Sequence, residues 1–251
     1  MAGKRRELAE VDALFADALR AGEGRPHARE VVAQAADEQV LVAVLARAVP
    51  VAFLEEVAKA RPWSERPRVL ARVVLNPRVP RTLALRLVGV LYWRDLAEVA
   101  ATPRVPAAVR TRAESLLRDG LADMRLGDRV TLGRLATPAL LPALLADTER
   151  RVTESALVNP RLREEDLVAA LRRDDVRLPL VESAVASPRW ASSYAVRLAL
   201  VLQPRTPLPL ALLQVSSLVP RDLRRVGEEA SLHPLVRAAA REVLERQAER
   251  G

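Results

Sequence analysis

Residues 74–99, VLNPRVPRTLALRLVGVLYWRDLAEV, lie without a gap over residues 201–226, VLQPRTPLPLALLQVSSLVPRDLRRV, and fourteen of the 26 positions are identical. The offset is 127 residues, and the register extends outward from this stretch. Trp63 falls on Trp190, Val69 on Val196, Val109 and Arg110 on Val236 and Arg237, and Leu117 on Leu244. Upstream, Glu38 falls on Glu165 and Glu55 on Glu182, whereas residues 1–37 over 128–164 are barely similar. Shared Leu and Ala richness does not produce such a match, so the expectation is an internal duplication.

A finer punctuation runs inside each copy. Asn76-Pro77-Arg78, Thr102-Pro103-Arg104, Asn159-Pro160-Arg161, Ser187-Pro188-Arg189 and Gln203-Pro204-Arg205 separate apolar runs. Proline removes a backbone donor and pushes the preceding residue out of the α region, so each triplet is expected to end a helix. Between triplets the apolar spacing is helical, as in Leu83, Leu85, Leu87, Val88 and Leu91, in Val109, Ala113, Leu116 and Leu117, in Leu167, Val168 and Leu171, and in Val236, Ala240, Val243 and Leu244. Composition agrees: 50% of residues are hydrophobic but only 3% aromatic, with nine glycines in 251 residues. Sheets favour β-branched and aromatic residues, so this balance points to helices.

Short helices repeated in tandem bury their apolar stripes only by stacking on their neighbours. The expected fold is therefore all-α: a right-handed α-solenoid of roughly 14–16 helices, read as a single body over 1–251. Within it, 1–37 forms an N-terminal cap region, 38–117 the first copy, 118–164 connecting repeats and 165–251 the second copy, with Val236 to Gly251 closing the end. The opening segment reads as an amphipathic helix with Leu8, Val11, Leu14, Phe15 and Leu19 on one face, not as a signal peptide. Asp119 to Asp128, with Gly120 and Gly127, is the candidate hinge or insertion between copies.

The pattern N-P-R-x-P, an apolar helix, R-D-L and a second helix opening V-P resembles bacterial HEAT-like repeat proteins and the related leucine-rich repeat variants, over most of residues 38–246. That resemblance implies a scaffold or adaptor working through a concave face or loop edge. Some leucine-rich repeat variants hold an Fe–S cluster through cysteines, which this cysteine-free chain does not supply. Some HEAT-like solenoids are DNA glycosylases, but no matching catalytic motif is present, and that activity is not carried over.

Catalytic signatures are otherwise missing from the sequence. Gly120, Gly127 and Gly133 are isolated, and no phosphate loop or nucleophile elbow occurs. The two histidines, His27 and His233, lie in no metal-binding spacing, and His233 before Pro234 reads as a capping or surface residue. Acidic pairs such as Glu55/Glu56, Asp174/Asp175 and Glu228/Glu229 carry no special context, and Glu164 to Asp166 reads as the first turn of a helix, where negative charge meets the positive end of the dipole. Arg94-Asp95 and Arg221-Asp222 recur at equivalent positions, with Asp as a helix N-cap and Arg pairing with a neighbouring repeat. Trp63 and Trp190, equivalent in the duplication, read as plugs between packed helices. The expectation is no enzyme, no cofactor and no metal.

The net charge of +8 contains only two lysines, Lys4 and Lys59. Such a skew accompanies GC-rich coding, and 32 acidic residues are interleaved with the arginines. One excess stands out. Eight of the 18 prolines precede Arg (Arg68, Arg78, Arg81, Arg104, Arg161, Arg189, Arg205 and Arg221), where random placement gives about three. Stacked turns would align such residues into a basic ridge suited to phosphates or carboxylates. The alternative is that each Arg pairs with a carboxylate of the next repeat. The candidate partner-binding residues are Arg78, Arg104, Arg161, Arg189 and Arg205. The expected function is a cytoplasmic, non-membrane scaffold for a protein partner with an acidic surface. The second reading is a nucleic-acid-binding protein contacting phosphates with little sequence specificity.

Overall fold

Proline writes the helix starts. It is compatible with the N-cap and the first turn, where no intrahelical N–H partner is lost. Pro50, Pro80, Pro106 and Pro207 are N-caps, and Pro67, Pro188, Pro220 and Pro234 are first helical residues. The result, in a computed structural model that describes residues 2–20 and 25–248, is a chain that is 71% helix with 18 α-helices and, among the described residues, no strand. The count exceeds the expected 14–16 because α10 and α14 below are short pieces of five and four residues.

The chain divides into two compact units, Met1–Ala122 and Asp123–Gly251, and the division falls inside the Asp119 to Asp128 segment. The first unit comprises α1 (Ala2–Arg20), α2 (Arg25–Gln34), α3 (Glu38–Leu45), α4 (Val51–Val57), α5 (Pro67–Leu75), α6 (Arg81–Leu87), α7 (Trp93–Ala101) and α8 (Ala107–Asp119). Most helices pack on the next but one: α1 on α3, α3 on α5, α5 on α7, and likewise α2 on α4 and α6 on α8, while α7 also packs closely on the adjacent α8. These helices enclose a core of Leu41, Val44, Phe53, Leu54, Val69, Val73 and Val109, all with essentially no exposed surface.

The second unit comprises α9 (Leu126–Leu135), α10 (Leu141–Leu145), α11 (Arg150–Leu157), α12 (Glu164–Leu171), α13 (Leu178–Ala186), α14 (Pro188–Ala191), α15 (Tyr194–Val201), α16 (Leu208–Val215), α17 (Pro220–Glu228) and α18 (Pro234–Ala248). α9, α11 and α13 pack in succession, as do α10, α12 and α15, and α16 and α17 close on α18. Gly133 sits where α9 meets α11: a Cβ there would lie 2.0 Å from Ser155 Oγ.

Three of the five Pro-preceding residues hold their turns. Helices end at Leu75, Ala101, Leu157, Ala186 and Val201, directly before or within two residues of the five triplets. Asn76, Asn159 and Gln203 are buried. Asn76 Nδ2 donates to the carbonyls of Leu45 and Arg47 at 2.8 and 2.7 Å; Asn159 Nδ2 donates to those of Gly133 and Ala136 at 2.8 and 3.1 Å; Gln203 Nε2 donates to those of Leu171 and Arg173 at 2.7 and 3.0 Å. The same side chains accept from the backbone N–H groups of Arg78, Arg161 and Arg205. A primary amide both donates and accepts, so one residue satisfies the free carbonyls ending an earlier helix and fixes its own turn.

Two expectations need correction. In α1, Val11 and Ala18 are the buried positions, while Leu8 and Leu19 are 53% and 45% exposed, so the inward stripe is narrower than the apolar spacing suggested. Asp95 and Asp222 are third residues of α7 and α17, with Tyr92 and Val219 as the N-caps, so neither Asp caps its helix. Residues 1, 21–24 and 249–251, which include parts of both expected end caps, lie outside the described residues.

Candidate functional site

All five candidate arginines are exposed, but they do two different things. In the second unit, Arg161 donates to the Leu135 carbonyl at 3.0 Å, and Arg189 donates to those of Asn159 and Leu162 at 3.1 and 2.9 Å. Arg205 reaches the Val176 carbonyl at 3.5 Å. These cations meet backbone carbonyls of earlier turns and not the carboxylates expected at such turns; the Leu135 and Asn159 carbonyls lie at helix C-termini, where the dipole ends negatively. Arg161 and Arg189 both engage the Asn159 turn, Arg161 through its backbone N–H to Asn159 Oδ1 and Arg189 through its guanidinium to the Asn159 carbonyl. Arg189 also covers the Trp190 ring at 4.2 Å, and Trp190, 4% exposed, donates its indole N–H to the Leu157 carbonyl. In the first unit, Arg78 and Arg104 form no side-chain hydrogen bond or ion pair among the described residues.

A second basic cluster was not assembled from the sequence. The first turns of α5 and α7 flank a groove of about 680 Å³ lined by Glu38, Arg66, Pro67, Arg68, Arg72, Tyr92, Trp93, Arg94 and Asp95. Arg72 is engaged by Glu98 at 2.9 Å, and Arg66 stands 3.9 Å from Glu38. Among the described residues Arg68 and Arg94 have no carboxylate at ion-pair distance, and Arg94 lies 5.1 Å from the Trp93 ring centre. Tyr92 is 67% exposed, whereas Trp63 and Trp190 are buried as plugs. Burial raises the Asp95 carboxyl above the usual carboxylate range, Glu98 adds to the rise, and Arg72 and Arg68 oppose it.

Its counterpart in the second unit is built differently. Asp222 accepts from the Tyr194 hydroxyl at 2.5 Å, and Tyr194, which stands where the first unit has Pro67, in turn accepts from the Val219 N–H. Burial and the Asp222 contact push the Tyr194 phenol up. The signal that would have found the groove was in the offset: Arg66, Arg68 and Arg72 face Ser193, Ala195 and Ala199, so these arginines serve no need common to both copies.

Elsewhere the acidic residues do ordinary work. Glu164 to Asp166 occupy the first turn of α12 as expected, and Glu164 accepts from Ser193 Oγ at 2.6 Å. His233 Nδ1 accepts from the Leu235 N–H at the start of α18, the expected capping role, and His27 is exposed on α2. Among the described residues no group of three or more His, Cys, Asp or Glu is placed to hold a metal ion, and no helix is long and apolar enough to cross a membrane.

Compared with protein-family models, curated proteins and solved structures, the chain matches none. What it does must be argued from its own surface.

Proposed function

We propose that the protein is a non-catalytic scaffold, an α-solenoid of HEAT-like helix pairs with an internal duplication, that binds an acidic protein partner through arginines at its Pro-Arg turns. The observation that carries the reading is the contrast between Arg78 and Arg104, exposed with no side-chain partner, and the amide of Asn76, which alone does the structural work at its turn. The backbone of Arg78 is fixed by the Asn76 amide, and its unpaired guanidinium is left open to bidentate pairing with a carboxylate. The next-but-one packing within the first unit and the fourteen identities at an offset of 127 support the solenoid and the duplication.

The test uses a labelled poly-glutamate peptide as the acidic probe. Arg78→Glu with Arg104→Glu should weaken its binding several-fold without lowering the melting temperature, because neither side chain supports the fold. Substituting all five arginines should abolish binding. Unchanged affinity in the double variant overturns the proposal. Duplex or single-stranded DNA that binds near physiological salt with a steep salt slope would favour phosphate recognition instead.

A further inference from the structure

We infer that the groove between the first turns of α5 and α7 is a binding site for a nucleoside phosphate. Its volume, about 680 Å³, lies within the range of small-molecule sites. Four guanidinium groups face two lining carboxylates, Glu38 and Asp95, which leaves a local excess of positive charge. Arg66 and Arg72 are partly committed to Glu38 and Glu98, so Arg68 and Arg94 are the pair free to grip an oxyanion.

The helix ends add donors of their own. Arg66 and Tyr92, the N-caps of α5 and α7, make no side-chain capping bond, so the Arg68 N–H of α5 and the Trp93, Arg94 and Asp95 N–H groups of α7 remain available beside these arginines. The flat component is supplied by Tyr92, exposed at the groove, whose ring offers a stacking face for a base. Asp95 at the groove wall provides an acceptor for an exocyclic amino group.

The comparison at the offset of 127 separates this chemistry from the demands of packing. The second unit has Ser193, Ala195 and Ala199 for the three α5 arginines, and Val219 and Pro220 for Tyr92 and Trp93. There the Tyr194 hydroxyl satisfies Asp222, and helix packing is achieved with no arginine at the positions of Arg66, Arg68 and Arg72, although Arg221 repeats Arg94. Three arginines and two aromatic residues that the other copy lacks, set beside the shared Arg94, mark a ligand site. This inference does not rest on the acidic-partner reading, since neither Arg78 nor Arg104 lines the groove.

Calorimetric titration of the full chain with ADP, inorganic pyrophosphate and adenosine tests it. ADP should saturate a single site, with pyrophosphate and adenosine each at least about tenfold weaker, because either half alone forfeits one set of contacts. Arg68→Gln with Arg94→Gln should cost at least about tenfold for ADP and pyrophosphate alike, and Tyr92→Ala about tenfold for ADP but not for pyrophosphate. All of these side chains are surface groups, so melting temperatures should hold, and Arg221→Gln in the second unit should change nothing. Lack of saturation at millimolar ADP, equal affinity for ADP and pyrophosphate, or an indifferent Tyr92→Ala would overturn the assignment. So would a short single-stranded oligonucleotide binding more than about tenfold tighter than ADP, which would reassign the groove to a polymer.

Discussion

A buried primary amide is expensive unless every donor and acceptor finds a partner, and Asn76, Asn159 and Gln203 meet that condition through backbone groups alone. Asn159→Ala should therefore cost about 2–4 kcal/mol, from two lost donor bonds and carbonyls left dry. Asn159→Asp should be no better, since a carboxylate has no hydrogen to give the Gly133 and Ala136 carbonyls. Chemical denaturation of both variants checks this. Gly133→Ala drives a methyl onto Ser155 and should cost about 1–3 kcal/mol, and Ser155→Gly in the same chain should recover much of it. Carboxyl NMR should show Asp95 titrating above 3.8 and Asp175, held by Arg173 at 2.8 Å, below it. The signs follow from the causes. Asp95 weakens the fold once ionised, and this cost is relieved as pH falls through its raised pKa. Asp175 contributes above its unfolded value and loses that contribution as pH falls through its depressed one. Glu98→Gln should lower the Asp95 pKa, and Arg72→Ala should raise it.

Helix boundaries were legible because proline acts locally: a missing N–H and a fixed φ decide a terminus whatever the tertiary surroundings. The first-turn acids of α12 and the cap at His233 were legible for the same reason. Burial was less so. Leu85 shares the apolar spacing of α6 yet is 37% exposed, and Leu8 and Leu19 face outward on α1, because spacing fixes a stripe and only the neighbours fix its width. The Asp of the R-D-L motif was placed three residues off, since Pro220 and Trp93 start their helices earlier than Asp would. Asp37, by contrast, caps α3 with bonds to the Gln39 and Val40 N–H groups at 2.6 and 3.1 Å. Asp37→Ala should cost about 1 kcal/mol, read as a lower melting temperature, and Asp37→Ser should restore most of it. The groove was hidden because its walls come from segments about 26 residues apart, and only packing of α5 on α7 joins them.

At the scale of the whole molecule, a net charge of +8 favours polyanions without choosing among them. What chooses is where the charge is left unspent. Three of the five turn arginines are spent on backbone carbonyls, Arg78 and Arg104 are not, and Arg68 and Arg94 open onto a groove. Codon bias accounts for an arginine-rich chain but not for that distribution. The central claim, an acidic protein partner held by turn arginines, is tested most directly by anisotropy titration of labelled poly-glutamate and of labelled DNA, duplex and single-stranded, against the wild-type chain and the Arg78→Glu, Arg104→Glu double variant near physiological salt. The account predicts saturable binding of the acidic peptide, several-fold weaker in the double variant, and negligible binding of both DNA forms. DNA binding with a steep salt slope and no peptide binding, or a double variant that binds the peptide as well as wild type, would contradict it.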